Sequence, residues 1–117
     1  MNRGDVYLID MPLVDRTPSP RDVVVHAKYV VVLRALSNES DACVLVCSTK
    51  RPPDRALAAY EVEIGTGQGM QHETVIDGRW PYTIHRRKLT SGRHIGTLPR
   101  DVMKQVDLAL AIGVGLI

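Results

Sequence analysis

Apolar residues occur along this chain in short runs separated by polar and proline-rich segments, a pattern typical of strands. The run at 6–9 predicts a strand closed by Pro12. The continuous runs at 29–33 and 42–47 predict strands buried on both faces, as at the centre of a sheet or barrel. Clean alternation over 60–64 predicts a half-exposed strand.

Several segments read as connections. Residues 13–23 combine prolines with charged side chains and predict a long exposed loop, either a flap over a ligand or a plain hairpin connection. Residues 23–26 either extend that loop or begin a strand, and residues 37–41 predict a turn. The glycines at 65–69 predict a flexible connection. No Gly-Lys-Ser/Thr follows them, so a phosphate-binding loop is excluded.

The dipeptide Asp77-Gly78 suits a two-residue hairpin turn, which predicts that 73–76 and 80–84 are two paired strands. Pro81 cannot donate a hydrogen bond to a sheet, so the second of these strands is expected at an edge.

A helix is predicted at the end of the chain, because Pro99 suits a first helical position. One face of this predicted helix carries apolar or small residues that should pack on the sheet: Val102, Val106, Ala109, Leu110 and Gly113. Strands followed by a terminal helix predict an α+β, mostly-β class. We expect one domain over residues 1–117, a small antiparallel barrel or twisted sheet with a C-terminal helix.

Charge changes this picture locally rather than overall. The net charge is only +2, but residues 78–100 contain six Arg or Lys and no carboxylate. Trp80 and Tyr82 lie in the same stretch. Cations for phosphates and ring faces for bases are what a nucleic-acid strand requires. The alternative is a solvated turn with Trp80 buried in the core.

The cysteines and the hydropathy indicate a reducing compartment. Cys43 and Cys47 fall on one face of a predicted strand, about 13 Å apart, which is beyond disulfide reach. No spacing of cysteine or histidine suits zinc, so we expect no metal and no cofactor. No apolar run approaches membrane length and no signal peptide begins the chain, so a cytoplasmic protein is expected.

Six segments in order resemble the MazF/PemK family of type II toxin-antitoxin toxins. Residues 3–10 are similar to its opening Arg-Gly-Asp-Val-Tyr strand, 28–33 to its Arg-Pro-Val-Leu-Val-Leu strand, and 43–49 to the strand ending in its site threonine. Residues 83–89, 95–98 and 106–110 continue the match. The resemblance implies an SH3-like barrel, a homodimer, metal-independent cleavage of single-stranded RNA, and an antitoxin that binds in the RNA groove.

The resemblance places Lys28 and Ser48 or Thr49 at the positions of the family's catalytic Arg and Thr. RNA cleavage without metal uses the neighbouring 2′-hydroxyl as nucleophile, so the protein must move protons and stabilise a pentacovalent phosphate. A cation and a hydroxyl fixed at strand ends suit that task. The alternatives are a surface lysine and two turn-capping hydroxyls.

The chain departs from the family pattern at three places. The usual Gly-x-Arg-Pro is here residues 26–29, with Lys28 in place of Arg; the first loop lacks a clear Glu-Gln; and the later Arg-Thr-x-Asp is residues 82–85. These changes nominate His26 or His85 as acid or base. They also nominate Arg21, Arg86 or Arg87 as the missing guanidinium.

Residues predicted to bind RNA are basic, aromatic or hydroxyl-bearing: Arg16, Arg21, Lys50, Arg51, Arg79, Trp80, Tyr82, Thr83, Arg86 and Arg87. One alternative function is a degenerate homologue that binds RNA or antitoxin without cutting. Another is a gyrase-binding poison like CcdB, which the resemblance disfavours because residues 114–117 contain no tryptophan.

Overall fold

The computed structural model of the chain describes residues 1–14, 23–50, 52, 54–65 and 73–117, with the backbone alone at 12–14 and 23–26. Of the loop predicted over 13–23, residues 15–22 therefore lie outside the described residues, whereas 13, 14 and 23 belong to strands. The predicted RNA-binding residues Arg16, Arg21 and Arg51, and most of the glycine-rich connection, also lie outside the described residues.

The described residues form six strands and two helices. The strands are β1 (Asp5–Val14), β2 (Val23–Arg34), β3 (Asp41–Thr49), β4 (Glu61–Ile64), β5 (Thr74–His85) and β6 (Arg93–Thr97). The helices are α1 (Arg86–Thr90) and α2 (Arg100–Gly113). The strands form one antiparallel sheet in the order β4-β5-β3-β2-β1-β6, which curls into a half-barrel. The predicted mostly-β class with a C-terminal helix is confirmed.

Both faces of the central strands are buried, as their continuous apolar runs predict. On one face Val31 and Leu45 pack with Val106 and Ala109 of α2. On the other, Val30, Val32 and Val44 pack with Leu89 of α1. Each fully buried Val or Leu contributes about 1.5–3 kcal/mol, so these two clusters hold the helices against opposite sides of the sheet.

Irregular pairing accounts for the curl of the sheet. The register shifts between β1 and β6 at Val6 and Tyr7, and between β2 and β3 at Val32 and Arg34. A larger irregularity interrupts the pairing of β5 with β3 between Leu45 and Cys47. Bulges of this kind increase local twist and bend the strand, which lets six strands wrap a small core.

The predicted hairpin at Asp77-Gly78 is wrong, because β5 runs through this dipeptide without reversing. Leu45 pairs with Pro81 and Cys47 with Ile76, so residues 77–80 form a bulge opposite one residue of β3. Glycine is required at position 78 because the backbone of α2 lies directly against it. A Cβ there would lie 2.5 Å from the carbonyl carbon of Ala109 in α2.

Other element boundaries also differ from the predictions. β1 continues through Pro12 to Val14, where β6 no longer pairs with it and a residue without an amide donor is tolerated. β2 already begins at Val23. Pro99 is the N-cap of α2 rather than its first residue, and the short α1 and β6 had no strong periodic signal. No helix in the described ranges is long and apolar enough to cross a membrane.

A buried carboxylate joins β1 to β6. Asp5 accepts hydrogen bonds from the Thr97 hydroxyl at 2.6 Å and from the Asn2 amide at 2.8 Å. Burial by itself raises the pKa of Asp5, but these hydrogen bonds and nearby His94 outweigh it and hold the pKa below its ordinary value. The charge is thus satisfied inside the fold.

Candidate functional site

Lys28 and the hydroxyls of Ser48 and Thr49 come together at one end of the sheet. Val30 of β2 pairs with Val46 of β3. Extending this register by two residues places Lys28 opposite Ser48. All three residues line a cavity of about 250 Å³, together with Ala27, Tyr29 and Thr74. The sequence-predicted cation and hydroxyls are therefore neighbours in space.

Strand alternation separates the two hydroxyls. Val46 packs on the α1 side of the sheet and Cys47 on the α2 side, so Ser48 belongs to the first face and Thr49 to the second. Tyr29, the next residue after Lys28, packs on the α2 side. Lys28 itself pairs with Ile9, which packs on the α1 side, so Lys28 lies on the α1 face. Ser48 therefore shares a face with Lys28, whereas Thr49 approaches the cavity from the other face.

The exit of β3 is fixed by an ion pair just beyond the hydroxyls. The Lys50 ammonium lies 3.1 Å from a Glu63 carboxylate oxygen, and its side chain is only 10% exposed. The Lys50 amide also donates to the Glu73 carbonyl at 3.1 Å. The hydrogen bond from Lys50 lowers the pKa of Glu63. Lys50, predicted to bind RNA, is thus already paired within the protein.

Cys47 also lines the cavity but is chemically quiet. Its side chain is buried, and burial raises the pKa of the thiol to about 12. A neutral thiol is a poor nucleophile at physiological pH. Both Cys43 and Cys47 are free, which confirms the prediction that they do not bridge each other.

His85 lies far from this cavity within one chain. It pairs with Asp41 at the opposite end of β3 from Thr49, a separation of about 26 Å along the strand. Its Nδ1 accepts a hydrogen bond from the Arg87 amide at 3.1 Å, which makes it the N-cap of α1. The backbone of His26 pairs with Met11, close to Lys28 in β2. Catalytic roles for both histidines stay predictions.

The predicted stacking residues are exposed on β5. Trp80 is 57% exposed and Tyr82 is 43% exposed, so the alternative of Trp80 as a core residue is wrong. Thr83 is exposed beside them. The Arg79 guanidinium lies 4.3 Å from the Tyr60 ring centre and 5.7 Å from the Trp80 ring. The guanidinium also forms an ion pair with Asp77 at 2.9 Å, so Arg79 is held in contact with both aromatic rings.

The two arginines at the start of α1 differ in their surroundings. Arg86 is half-buried and its guanidinium donates to the Leu36 carbonyl. Arg87 is exposed, and its side chain makes no hydrogen bond or ion pair with a described residue. Of the predicted RNA-binding cations that the structure describes, Arg87 is thus the one available to a ligand.

Two exposed cations were missed as individual site residues. Lys88 and Arg93 flank the turn between α1 and β6 and, like that of Arg87, their side chains form no ion pair or hydrogen bond with a described residue. They belong to the basic stretch 78–100, which was the available signal. The side chains of Arg79 and Arg86 have partners within the protein, and this difference arises from tertiary contacts that no local sequence pattern reveals.

Metal ligation finds no support in the described part of the chain, where no group of three His, Cys, Asp or Glu is close enough to hold an ion. The chemistry available at the Lys28 cavity is that of an ammonium and two hydroxyls.

Residues 2–114 match the model of a family described as PemK-like, MazF-like toxins of type II toxin-antitoxin systems. The chain belongs to the PemK/MazF family. The match covers nearly the whole sequence and confirms the resemblance carried by the six segments. No curated protein sequence matches the chain.

Solved structures agree with the PemK/MazF assignment at the level of fold. A mycobacterial endoribonuclease in complex with its cognate antitoxin has a TM-score of 0.72 at 18% identity, covering 100% of this chain and 97% of that one. The Mycobacterium tuberculosis toxin MazF-mt6 has a TM-score of 0.71 at 18% identity, covering 95% and 96%. A chain of the MazE-MazF crystal structure from Deinococcus radiodurans has a TM-score of 0.69 at 12% identity, covering 98% of this chain and 96% of that one.

Proposed function

We propose that this PemK/MazF toxin is a metal-independent endoribonuclease that cuts single-stranded RNA in the cytoplasm. The observation that carries the proposal is the juxtaposition of Lys28 with Ser48 and Thr49 in one cavity. Similar folds in proteins described as endoribonucleases support it. We further propose that the protein is a homodimer and that a cognate antitoxin inhibits it, as the antitoxin complexes of those neighbours suggest.

The proposed reaction forms one phosphorus–oxygen bond and breaks another. The 2′-oxygen attacks the adjacent phosphorus as its proton is removed, the bond to the 5′-oxygen breaks, and that oxygen takes up a proton. The products are a 2′,3′-cyclic phosphate and a 5′-hydroxyl. His26, whose backbone lies close to Lys28 in β2, remains a nominated proton carrier. His85 is the other nominee, and it would have to reach the cavity from a second copy of the chain.

Lys28 and the hydroxyls have separate tasks in this scheme. Lys28 is half-buried, and at such a position its positive charge stabilises the negative charge that develops on the pentacovalent phosphate more strongly than it would in water. Hydroxyls of Ser48 and Thr49 donate hydrogen bonds to the non-bridging oxygens. The exposed rings of Trp80 and Tyr82 offer stacking surfaces for unpaired bases, and the exposed Arg87 offers charge for the RNA backbone.

The test is incubation of the purified chain with a long RNA in EDTA. Discrete fragments with 2′,3′-cyclic phosphate ends are expected, and Lys28→Ala should slow their formation by about 10²–10³-fold. Lys28→Arg should retain cleavage, because Arg keeps the charge and adds a second parallel donor. Lys104→Ala, an exposed lysine of α2, serves as the charge-matched control. RNA that stays intact across many sequences contradicts the proposal.

A second candidate function is RNA or antitoxin binding without cleavage. The observation that favours it is Lys28 itself, since an ammonium cannot clamp a phosphate with two parallel hydrogen bonds as the family's Arg does. This candidate predicts RNA affinity that falls with salt, and no product under any condition. Restoration of cleavage by Lys28→Arg in an otherwise inactive protein would identify the residue responsible.

A further inference from the structure

A second cavity, of about 530 Å³, lies at the edge of the sheet where β6 leaves β1. β6 pairs with β1 only as far as Leu8, so Asp10 follows at an edge that no described strand covers. The turn between α1 and β6 sits directly on β1. A Cβ at Gly92 would lie 2.6 Å from the Leu8 carbonyl oxygen, so glycine allows this close approach.

The close turn brings opposite charges into one concave site. Lys88 and Arg93 line the cavity on either side of Gly92, and Asp10 lines it from β1. All three side chains are exposed, and none forms an ion pair or hydrogen bond with another described residue. Other cations of the chain, such as Lys50, are already paired. The cavity therefore offers the cationic donors of Lys88 and Arg93 to an anion, and the Asp10 carboxylate as an acceptor for N–H or O–H groups of the same ligand.

This cavity is adjacent to the Lys28 cavity. The two share Leu8 and Ala27 as lining residues. Ala27 pairs with Asp10, and the extended β2–β3 register places it opposite Thr49. Two strand spacings, roughly 10 Å, thus separate Asp10 from Thr49, and the side chain that lies between them is the methyl group of Ala27. One nucleotide can span that distance.

We propose that the 530 Å³ cavity binds the nucleotide next to the scissile phosphate, an inference that rests on the proposed RNA-cleaving function. Lys88 and Arg93 hold its phosphate through charge-assisted hydrogen bonds. Asp10 reads its base. An ionised carboxylate is only an acceptor, so it selects a base edge with adjacent N–H donors. Guanine presents two such donors on its Watson–Crick edge, whereas uracil presents one.

The phosphate contact is tested by fluorescence anisotropy with short 2′-fluoro oligonucleotides, which lack the nucleophilic hydroxyl and cannot be cut. The Lys88→Ala, Arg93→Ala double variant should bind every sequence about 10-fold more weakly, and its slope of log K against log salt should fall by about 1. The control removes two exposed cations of α2, Arg100→Ala with Lys104→Ala, and should keep the wild-type slope.

The base contact is tested with Asp10→Asn on the same probes. The wild type should prefer oligonucleotides containing one guanine over all-uridine ones, and the variant should lose about 10-fold of that preference. A double variant that behaves like its α2 control, or a guanine preference that Asp10→Asn leaves unchanged, overturns the inference. Binding as expected without cleavage of unmodified RNA supports this site while refuting the nuclease proposal.

Discussion

Ser48 and Thr49 are adjacent hydroxyls that the sequence cannot rank, but strand geometry distinguishes them. Ser48 lies on the α1 face of the sheet, the face that also carries Lys28, and Thr49 lies on the other. A phosphate held by the Lys28 ammonium is therefore reached more directly by the Ser48 hydroxyl. The residue that matches the family's site threonine in chemistry need not be the one that performs its task.

Single alanine variants test this ranking. Ser48→Ala should lower the rate of RNA cleavage by about 10²-fold, and Thr49→Ala by less, because only Ser48 shares a face with Lys28. Rates are measured on one RNA under single-turnover conditions, with thermal melting to check folding. A larger loss for Thr49→Ala would contradict the facial assignment of the two hydroxyls.

Gly78 has a structural role that its sequence neighbourhood conceals. A Cβ at Gly78 would meet the backbone of α2, and a Cβ at Gly113 would lie 2.5 Å from the Gly78 carbonyl carbon. Backbone atoms on both sides leave no flexible side chain to move aside. The helix and β5 therefore touch at a pair of glycines.

Gly78→Ala should lower the free energy of unfolding by about 1–3 kcal/mol, the usual cost of overpacking. The measurement is urea denaturation followed by circular dichroism. Gly96→Ala in β6 is the matched control, since a Cβ there meets nothing within 4 Å and should leave the midpoint nearly unchanged. Equal midpoints for the two variants would contradict the proposed contact.

Among the elements, β4 is short, and hydrogen bonds from the segment before it to Glu61 hold it in place. Arg55 donates to both carboxylate oxygens of Glu61 at 2.8 and 2.6 Å, and the Ala58 amide donates at 2.9 Å. The Glu61 side chain keeps only 10% of its surface exposed. The hydrogen bonds from Arg55 are the largest cause that lowers the pKa of Glu61, to about 2 from 4.5.

This pair predicts a specific loss of stability in acid. Because the folded pKa of Glu61 lies below its unfolded value, its stabilisation is complete above about pH 4.5 and is lost as pH falls toward about 2. After allowance for partial exposure of Arg55, the loss should be of order 2 kcal/mol. Arg55→Gln should shrink it in urea titrations across that range. Arg34→Gln, which breaks the exposed pair with Glu39, should not.

At the scale of the whole molecule, apolar surface remains uncovered on the single chain. Leu108, Leu116 and Ile117 each expose more than half of their surface, at 55%, 76% and 74%, and Trp80 does so on β5. Exposed apolar side chains that form one contiguous patch mark a surface that binds another molecule. A second copy of the chain is the partner that the PemK/MazF resemblance implies.

We therefore expect sedimentation equilibrium at micromolar concentration to give twice the chain mass of 13.0 kDa. Leu116→Ser with Ile117→Ser tests whether the C-terminal residues contribute, and should shift the equilibrium toward monomer if they do. The exposed Leu57 on the connection before β4 supplies the control, as Leu57→Ser. A wild-type chain that stays monomeric throughout this range would contradict the homodimer.

The sequence by itself determined the central strands, their burial on two faces and the terminal helix, because these follow from local periodicity. It also brought Lys28 and the Ser48–Thr49 pair together through the family resemblance. Tertiary structure decided the rest. Position 78 requires glycine within a strand because a helix distant in sequence lies against it. Whether a cation such as Lys50 or Lys88 is available depends on a partner from another strand, and no local pattern encodes that partner.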